Sequence, residues 1–122
     1  MITSVKHVSI PVKDQDKALK FYTETLGFEV AVDAEFVPGE QRWIELKIPG
    51  ADTLIVLFTL EGHEERVGTR SNIIFTSDNI AKTYGDLKAR GVLFTEDLKE
   101  ESWGTYATFQ DLDGNTFLLS ST

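Results

Sequence analysis

Cysteine is absent from this chain of 122 residues, which excludes disulfides, thiolate metal ligands and cysteine nucleophiles. Histidine is almost as scarce, because two copies are too few for a multi-histidine metal site. No apolar run approaches the roughly 20 residues that cross a bilayer. The first residues also lack the apolar stretch of a signal peptide, so we expect a cytoplasmic protein.

Basic residues are in short supply as well, since 12 of them face 20 acidic residues and the net charge is −8. This balance argues against nucleic acid or an anionic membrane as a partner. The sequence has no glycine-rich phosphate loop, no Gly-x-Ser-x-Gly motif and no basic patch with interleaved aromatic residues. The remaining composition, 41% hydrophobic and 26% charged, is typical of one globular domain.

An internal repeat organises the chain. The segments His7–Asp14 and Asn72–Asp78 are each a short apolar strand that ends in an acidic residue. Each is followed by a helical stretch that ends in glycine and an apolar residue. The halves span about residues 1–60 and 68–122, and a polar link of residues 61–68 joins them. We predict a single α+β domain of two modules, each with the element order βαβββ.

Hydrophobic periodicity predicts the elements of each module. The first helix can be capped by Asp14 or Asp16 and ends before Gly27, while the second can be capped by Asp78 and ends at Gly91. Alternation or apolar runs predict eight strands: Val5–Val12, Phe28–Phe36, Arg42–Ile48, Thr53–Leu60, Asn72–Ser77, Leu93–Asp97, Tyr106–Gln110 and Asn115–Ser121.

One helix covers only one face of a four-stranded sheet, so the other face of each module needs a partner. The open face of the second module is the natural partner, and two curved mixed sheets would then enclose a trough. Alternation places ten side chains toward it: His7, Ser9, Trp43, Glu45, Val56, Phe58, Asn72, Ile74, Leu118 and Ser120. Because the modules are similar, His7 and Asn72 are expected to approach each other.

Aromatic residues predict an aromatic lining for this trough, with candidates Phe36, Trp43, Phe58, Trp103 and Tyr106. Trp103 differs from the others because it lies in the polar stretch Glu100–Thr105 just before a strand. It is expected to form a lid over a ligand or to pack against a partner subunit. Glu45 is expected to pair with a cationic ligand or with Arg42, Arg70 or Lys47.

Two motifs resemble those of the vicinal oxygen chelate superfamily, which includes glyoxalase I, bleomycin resistance proteins, extradiol dioxygenases and fosfomycin resistance proteins. A first strand His-Val-x-Ile-x-Val-x-Asp leads into Phe21-Tyr22 and Leu26-Gly27-Phe28. Asp111-x-Asp-Gly-Asn115, a turn whose residue types tolerate positive φ, precedes the last strand. The resemblance implies paired βαβββ modules and, in many members, one divalent metal held by the first and last strands of both halves.

Carried over residue by residue, the resemblance places the four metal ligands at His7, Val56, Asn72 and Leu118. Only His7 is a strong ligand, because valine and leucine cannot coordinate a cation. We therefore expect no metal cofactor and a glyoxalase/bleomycin-resistance-like protein that binds a small aromatic or amphipathic molecule, without turnover, as a homodimer.

Three alternatives stay open. The protein could be a metal-dependent glyoxalase-like lyase or isomerase, or a dioxygenase, in which Glu45 supplies a displaced ligand. It could be an enzyme without metal that uses His7 or Glu45 as general base. His7 could also have a structural role only, bonded to Ser9 or Asn72. His63, in the acidic link, is expected to be solvated.

Overall fold

A computed structural model describes residues 1–35, 42–59 and 64–122. The first half contains β1 (His7–Pro11), α1 (Gln15–Lys20) with a π-helical continuation over Phe21–Thr25, β2 (Glu29–Ala34), β3 (Trp43–Lys47) and β4 (Leu54–Phe58). After a 3₁₀ turn at Glu64–Arg66, the second contains β5 (Arg70–Ser77), α2 (Ile80–Ala89), β6 (Leu93–Glu101), β7 (Gly104–Gln110) and β8 (Thr116–Ser121). The predicted α+β fold of two βαβββ modules is confirmed.

The chain forms two compact units, Met1–Val67 and Gly68–Thr122. Each holds one four-stranded mixed sheet, ordered β1-β4-β3-β2 in the first unit and β5-β8-β7-β6 in the second. In both sheets the first and last strands of the module pair in parallel and the other neighbours are antiparallel. No helix in the described part of the chain is long and apolar enough to span a membrane.

The first unit buries one face of its sheet under α1. The helix begins at Asp14, whose carboxylate accepts a hydrogen bond from the Lys17 amide at 3.1 Å, so Asp14 rather than Asp16 is the cap. Buried side chains alternate along the strands with the period of a half-covered sheet. They are Ile10, Val12, Ile44, Leu46, Ile55 and Leu57, and the helical residues Ala18, Phe21 and Tyr22 are buried with them.

The second unit has a phenylalanine-rich core. Phe75, Phe109 and Phe117 contact one another, with ring centroids 5.4–6.2 Å apart. The predicted cap of α2, Asp78, is wrong by one residue. The carboxamide of Asn79 accepts the hydrogen bond from the Lys82 amide at 3.3 Å, because the capping side chain reaches the third residue of the helix.

A tyrosine on α2 fastens this helix to β6. The Tyr84 ring packs edge-on against Phe94 with centroids 4.6 Å apart, and its hydroxyl donates to Asp97 Oδ1 at 2.8 Å. Lys88 Nζ lies 3.4 Å from the same oxygen. The hydroxyl, followed by the Lys88 charge, lowers the pKa of Asp97 below its ordinary value.

The turn between β7 and β8 is held by its own side chains. The Asp111 carboxylate accepts from the amides of Asp113 and Asn115, both at 2.9 Å, and from the Asn115 carboxamide at 2.8 Å. Asn115 Oδ1 accepts from the Gly68 amide at 2.8 Å. Only Gly114 of this turn has positive φ, at 83°, so the aspartates and the asparagine act as hydrogen-bonding residues and do not adopt the left-handed conformation.

Candidate functional site

The open face of the first sheet carries the residues that alternation predicted. Strand pairing puts Ser9 beside Val56, and Val56 beside Glu45 on β3, in one row across three strands. His7 and Trp43 lie on the same face by parity, as does Phe58, which pairs with Pro11. Six predicted site residues therefore share one surface in this unit.

Three of these side chains form a contact cluster, which we call the His7–Trp43–Glu45 cluster. The His7 imidazole meets the Trp43 indole edge to face, with centroids 5.8 Å apart and an interplanar angle of 74°. Trp43 Nε1 donates a hydrogen bond to Glu45 Oε1 at 3.0 Å. The cluster thus combines two aromatic rings with a half-buried carboxylate.

This arrangement corrects two expectations. Glu45 forms no ion pair with Arg42, Lys47 or Arg70 in the described residues, because the indole N–H occupies one carboxylate oxygen. His7 makes no side-chain hydrogen bond to Ser9, and its described contact is the Trp43 ring. The structure therefore assigns His7 to an aromatic contact, whereas a polar pair was expected.

The start of β3, next to this cluster, is fixed by the beginning of α1. The Gln15 carboxamide donates to the carbonyl oxygens of Arg42 and Leu57 at 2.8 and 3.0 Å and accepts from the Arg42 amide at 3.0 Å. The Arg42 guanidinium binds Asp16 at 2.7 Å and Asp33 at 2.9 Å. The hydrogen bond from Asp16, together with the Asp33 charge, raises the pKa of Arg42 above its ordinary value, so this cation is already neutralised by protein carboxylates.

The second unit presents its own aromatic group. Trp103 lies in the turn between β6 and β7, and its indole stacks on the Tyr106 ring with centroids 5.2 Å apart and an angle of 24°. The residue is 61% exposed, so one ring face is supported and the other is open to solvent. Of the two alternatives given above, lid or subunit contact, the stacking decides neither, but it fixes the orientation of the ring.

A carboxylate that alternation missed lies beside this aromatic group. Glu96 accepts hydrogen bonds from Thr108 Oγ1 at 3.0 Å and from the Tyr106 hydroxyl at 3.4 Å. The β6–β7 register shifts on both sides of Glu96. These shifts break the period of two, so Phe94 and Glu96 do not share a face, although their spacing in the sequence predicts that they should.

A cavity of about 340 Å³ lies on the second sheet. Three predicted residues line it, namely Asn72, Ile74 and Leu118, with Arg70, Thr108 and Thr116 among the others. The prediction that Asn72 and His7 approach each other stays a prediction, since they belong to different units. The candidates Phe36 and His63 lie outside the described residues.

Comparison with known proteins now identifies the family. The model of the Glyoxalase/Bleomycin resistance protein/Dioxygenase superfamily matches residues 4–119. The chain belongs to this superfamily. The uncharacterized protein YetH of Bacillus subtilis (strain 168) is 37% identical over 122 residues, or 98% of either chain. The resemblance drawn from the two sequence motifs is thereby confirmed.

Two solved structures show the same fold at similar identity. A member of the superfamily from Sphaerobacter thermophilus DSM 20745 superposes with a TM-score of 0.89 at 35% identity, covering 99% of this chain and 98% of that one. TnmS3 from Streptomyces sp. CB03234, described as an antibiotic binding protein, gives 0.87 at 35% identity, covering 98% and 96%.

The residues at the superfamily's metal positions do not fit a divalent cation. Val56 is 1% exposed and lies in an apolar strand, while Leu118 forms part of the cavity wall. Asn72 offers at most a weak amide oxygen, which leaves His7 as the single strong ligand. Within residues 1–35, 42–59 and 64–122, no three His, Asp or Glu side chains are grouped so as to hold a metal ion.

Proposed function

We propose that this protein binds a small aromatic or amphipathic organic molecule on the open faces of its sheets, without metal and without chemical turnover. The observation that carries the proposal is the aliphatic replacement of both last-strand metal positions. Val56 and Leu118 convert these positions from charged ligands into apolar surface. Such a surface disfavours a bare cation and favours contact with a hydrocarbon or ring.

Exposed aromatic rings support this proposal. Trp43 is 38% exposed and Trp103 is 61% exposed, and each ring is fixed by a neighbour, His7 or Tyr106. A ring that is already oriented loses little side-chain entropy when a ligand stacks on it. Prepared aromatic surfaces of this kind are typical of binding sites for flat organic molecules.

The relative of described function points in the same direction. TnmS3 is described as an antibiotic binding protein, and it shares 35% of its sequence and nearly its whole length with this chain. Its description names binding and no reaction. We infer that sequestration of a small molecule is the function of this chain as well.

Two measurements on protein purified without chelators test the proposal. Elemental analysis should find far less than one zinc, nickel, iron or manganese per chain, and native mass spectrometry should reveal any co-purified organic compound. Calorimetric titration with the naphthalene probes described below should give saturable binding. One divalent ion per chain would instead favour a metal-dependent lyase, isomerase or dioxygenase.

A further inference from the structure

An irregularity in β5 coincides with the cavity of the second unit. Four residue steps along β5, from Arg70 to Ile74, match only two steps along β8, from Thr116 to Leu118. Ser71 occupies the gap, since its hydroxyl donates to the Thr116 carbonyl at 2.8 Å and accepts from the Ile73 amide at 3.2 Å. Bulges of this kind redirect side chains and are frequent next to binding sites.

The polar groups that line the cavity divide into committed and available ones. The hydroxyls of Ser71, Thr108 and Thr116 all donate to protein oxygens. The side chains of Arg70 and Asn72 have no hydrogen-bond or ion-pair partner anywhere in the described residues. The available groups are therefore a guanidinium, with five N–H donors, and a carboxamide, with two.

This donor set favours an oxyanion. A guanidinium matches the two oxygens of a carboxylate or sulfonate with two parallel hydrogen bonds, and the neighbouring carboxamide can donate a third. The chain has eight more acidic than basic residues, so a cavity-lining arginine without a carboxylate partner stands out against its surroundings. Glu96 is held by Thr108 and Tyr106 and forms no ion pair with Arg70.

The apolar part of the cavity wall adds the second half of the recognition. Ile74 and Leu118 pair across β5 and β8, and Ile74 is 59% exposed. A ligand whose anionic group contacts Arg70 and Asn72 can place a hydrocarbon ring on these two side chains. Burial of that ring supplies affinity, while the charged pair supplies orientation.

We propose that the cavity at the β5 bulge is the subsite for the oxyanion of an amphipathic ligand, an aromatic or alicyclic carboxylate or sulfonate. This inference rests on the proposed binding function and adds the charge of the ligand. The His7–Trp43–Glu45 cluster offers a carboxylate, so a cationic ligand is the competing outcome that the experiment must distinguish.

Three probes that share one ring separate these outcomes: 2-naphthoate, the neutral 2-naphthamide and the cationic 2-naphthylmethylammonium. Calorimetric titration of the full chain at low salt should rank naphthoate as the tightest ligand. In Arg70→Gln, naphthoate affinity should fall at least tenfold, while naphthamide affinity changes less than twofold. Asn72→Ala should give a smaller loss in the same direction.

Arg90→Gln provides the matched control, because it removes the same charge from an exposed position at the end of α2, outside the cavity lining. It should leave naphthoate affinity within twofold of the original chain. Equal losses in both arginine variants, or no loss in Arg70→Gln, would overturn the oxyanion subsite. Preference for the amide or the cation would also overturn it while leaving small-molecule binding intact. If none of the probes binds at millimolar concentration, the binding function and the subsite both fail.

Discussion

Removing the Trp103 side chain tests whether the second unit binds its ligand by aromatic stacking. With 61% of the residue exposed and one ring face resting on Tyr106, the open face is available to a planar ligand. The Trp103→Ala substitution removes that face and leaves the strands on both sides of the turn in place. The proposed function therefore predicts a loss of affinity without a loss of fold.

The size of the loss can be worked from the exposed area. A tryptophan presents roughly 250 Å² at full exposure, so an exposed fraction of 61% leaves about 150 Å². A flat ligand on one face covers about half of this area, which at about 25 cal/mol per Å² contributes roughly 2 kcal/mol. Specific ring stacking adds about 1 kcal/mol. Since area-based values are upper estimates, we expect Kd to rise between about 10- and 100-fold.

The assay is titration with 2-naphthamide, whose neutral group makes the result independent of the oxyanion subsite. Trp103→Phe should retain part of the affinity because a smaller ring remains. Thermal unfolding should show a stability loss of no more than about 1.5 kcal/mol, the range of one aromatic pair with Tyr106. Unchanged affinity in a folded Trp103→Ala protein would refute the stacking argument, and the ligand would then have to be sought around Trp43 and Phe58.

Three further predictions concern cofactor, assembly and stability. Because Val56 and Leu118 occupy metal positions, addition of zinc or nickel should not raise the melting temperature. Sedimentation at micromolar concentration should show a homodimer, since each open-edged sheet leaves strands that a second subunit can cover, and a monomer would contradict this. Asn115→Ala should lower the free energy of unfolding by about 2–3 kcal/mol, measured in urea, because it removes the partner of the Gly68 amide and leaves a buried turn unsatisfied. The pKa of Asp97 is lowered in the folded state, so its stabilising effect is present above its unfolded value and disappears as the pH falls through the folded one. The urea midpoint of Asp97→Asn should accordingly lie below that of the original chain at pH 7, and the two should converge as the pH falls below about 4.

The fold was predictable because the repeat states it twice. Alternation along β1 gave the correct face for Ile10 and His7, and Gly91 ended α2 as predicted with φ of 90°. The first open face was equally accessible, since parity alone places His7, Trp43 and Glu45 together. Parity carries no information on partners, however, and so the hydrogen bond from the indole to Glu45 could not be chosen over an ion pair.

Register shifts account for what the sequence did not reveal. Arg70 precedes the bulge of β5, and Glu96 lies between two shifts of β6. A residue inserted into one strand changes the face of everything beyond it, while the sequence pattern continues unchanged. Both residues belong to the second unit, where they became visible only through the pairing with β8 and β7.

The open faces of the two units show how one module can serve different chemistry. The scaffold is the same, with parallel pairing of the first and last strands in both units. The polar groups differ in sign, because the first sheet presents the Glu45 carboxylate and the second presents the Arg70 guanidinium. A metal site needs ligands from both modules, so the aliphatic residues Val56 and Leu118 remove the requirement that the modules act on one ion. Once that requirement is gone, each face is free to hold its own kind of organic group, and the second face has the donors for an anion.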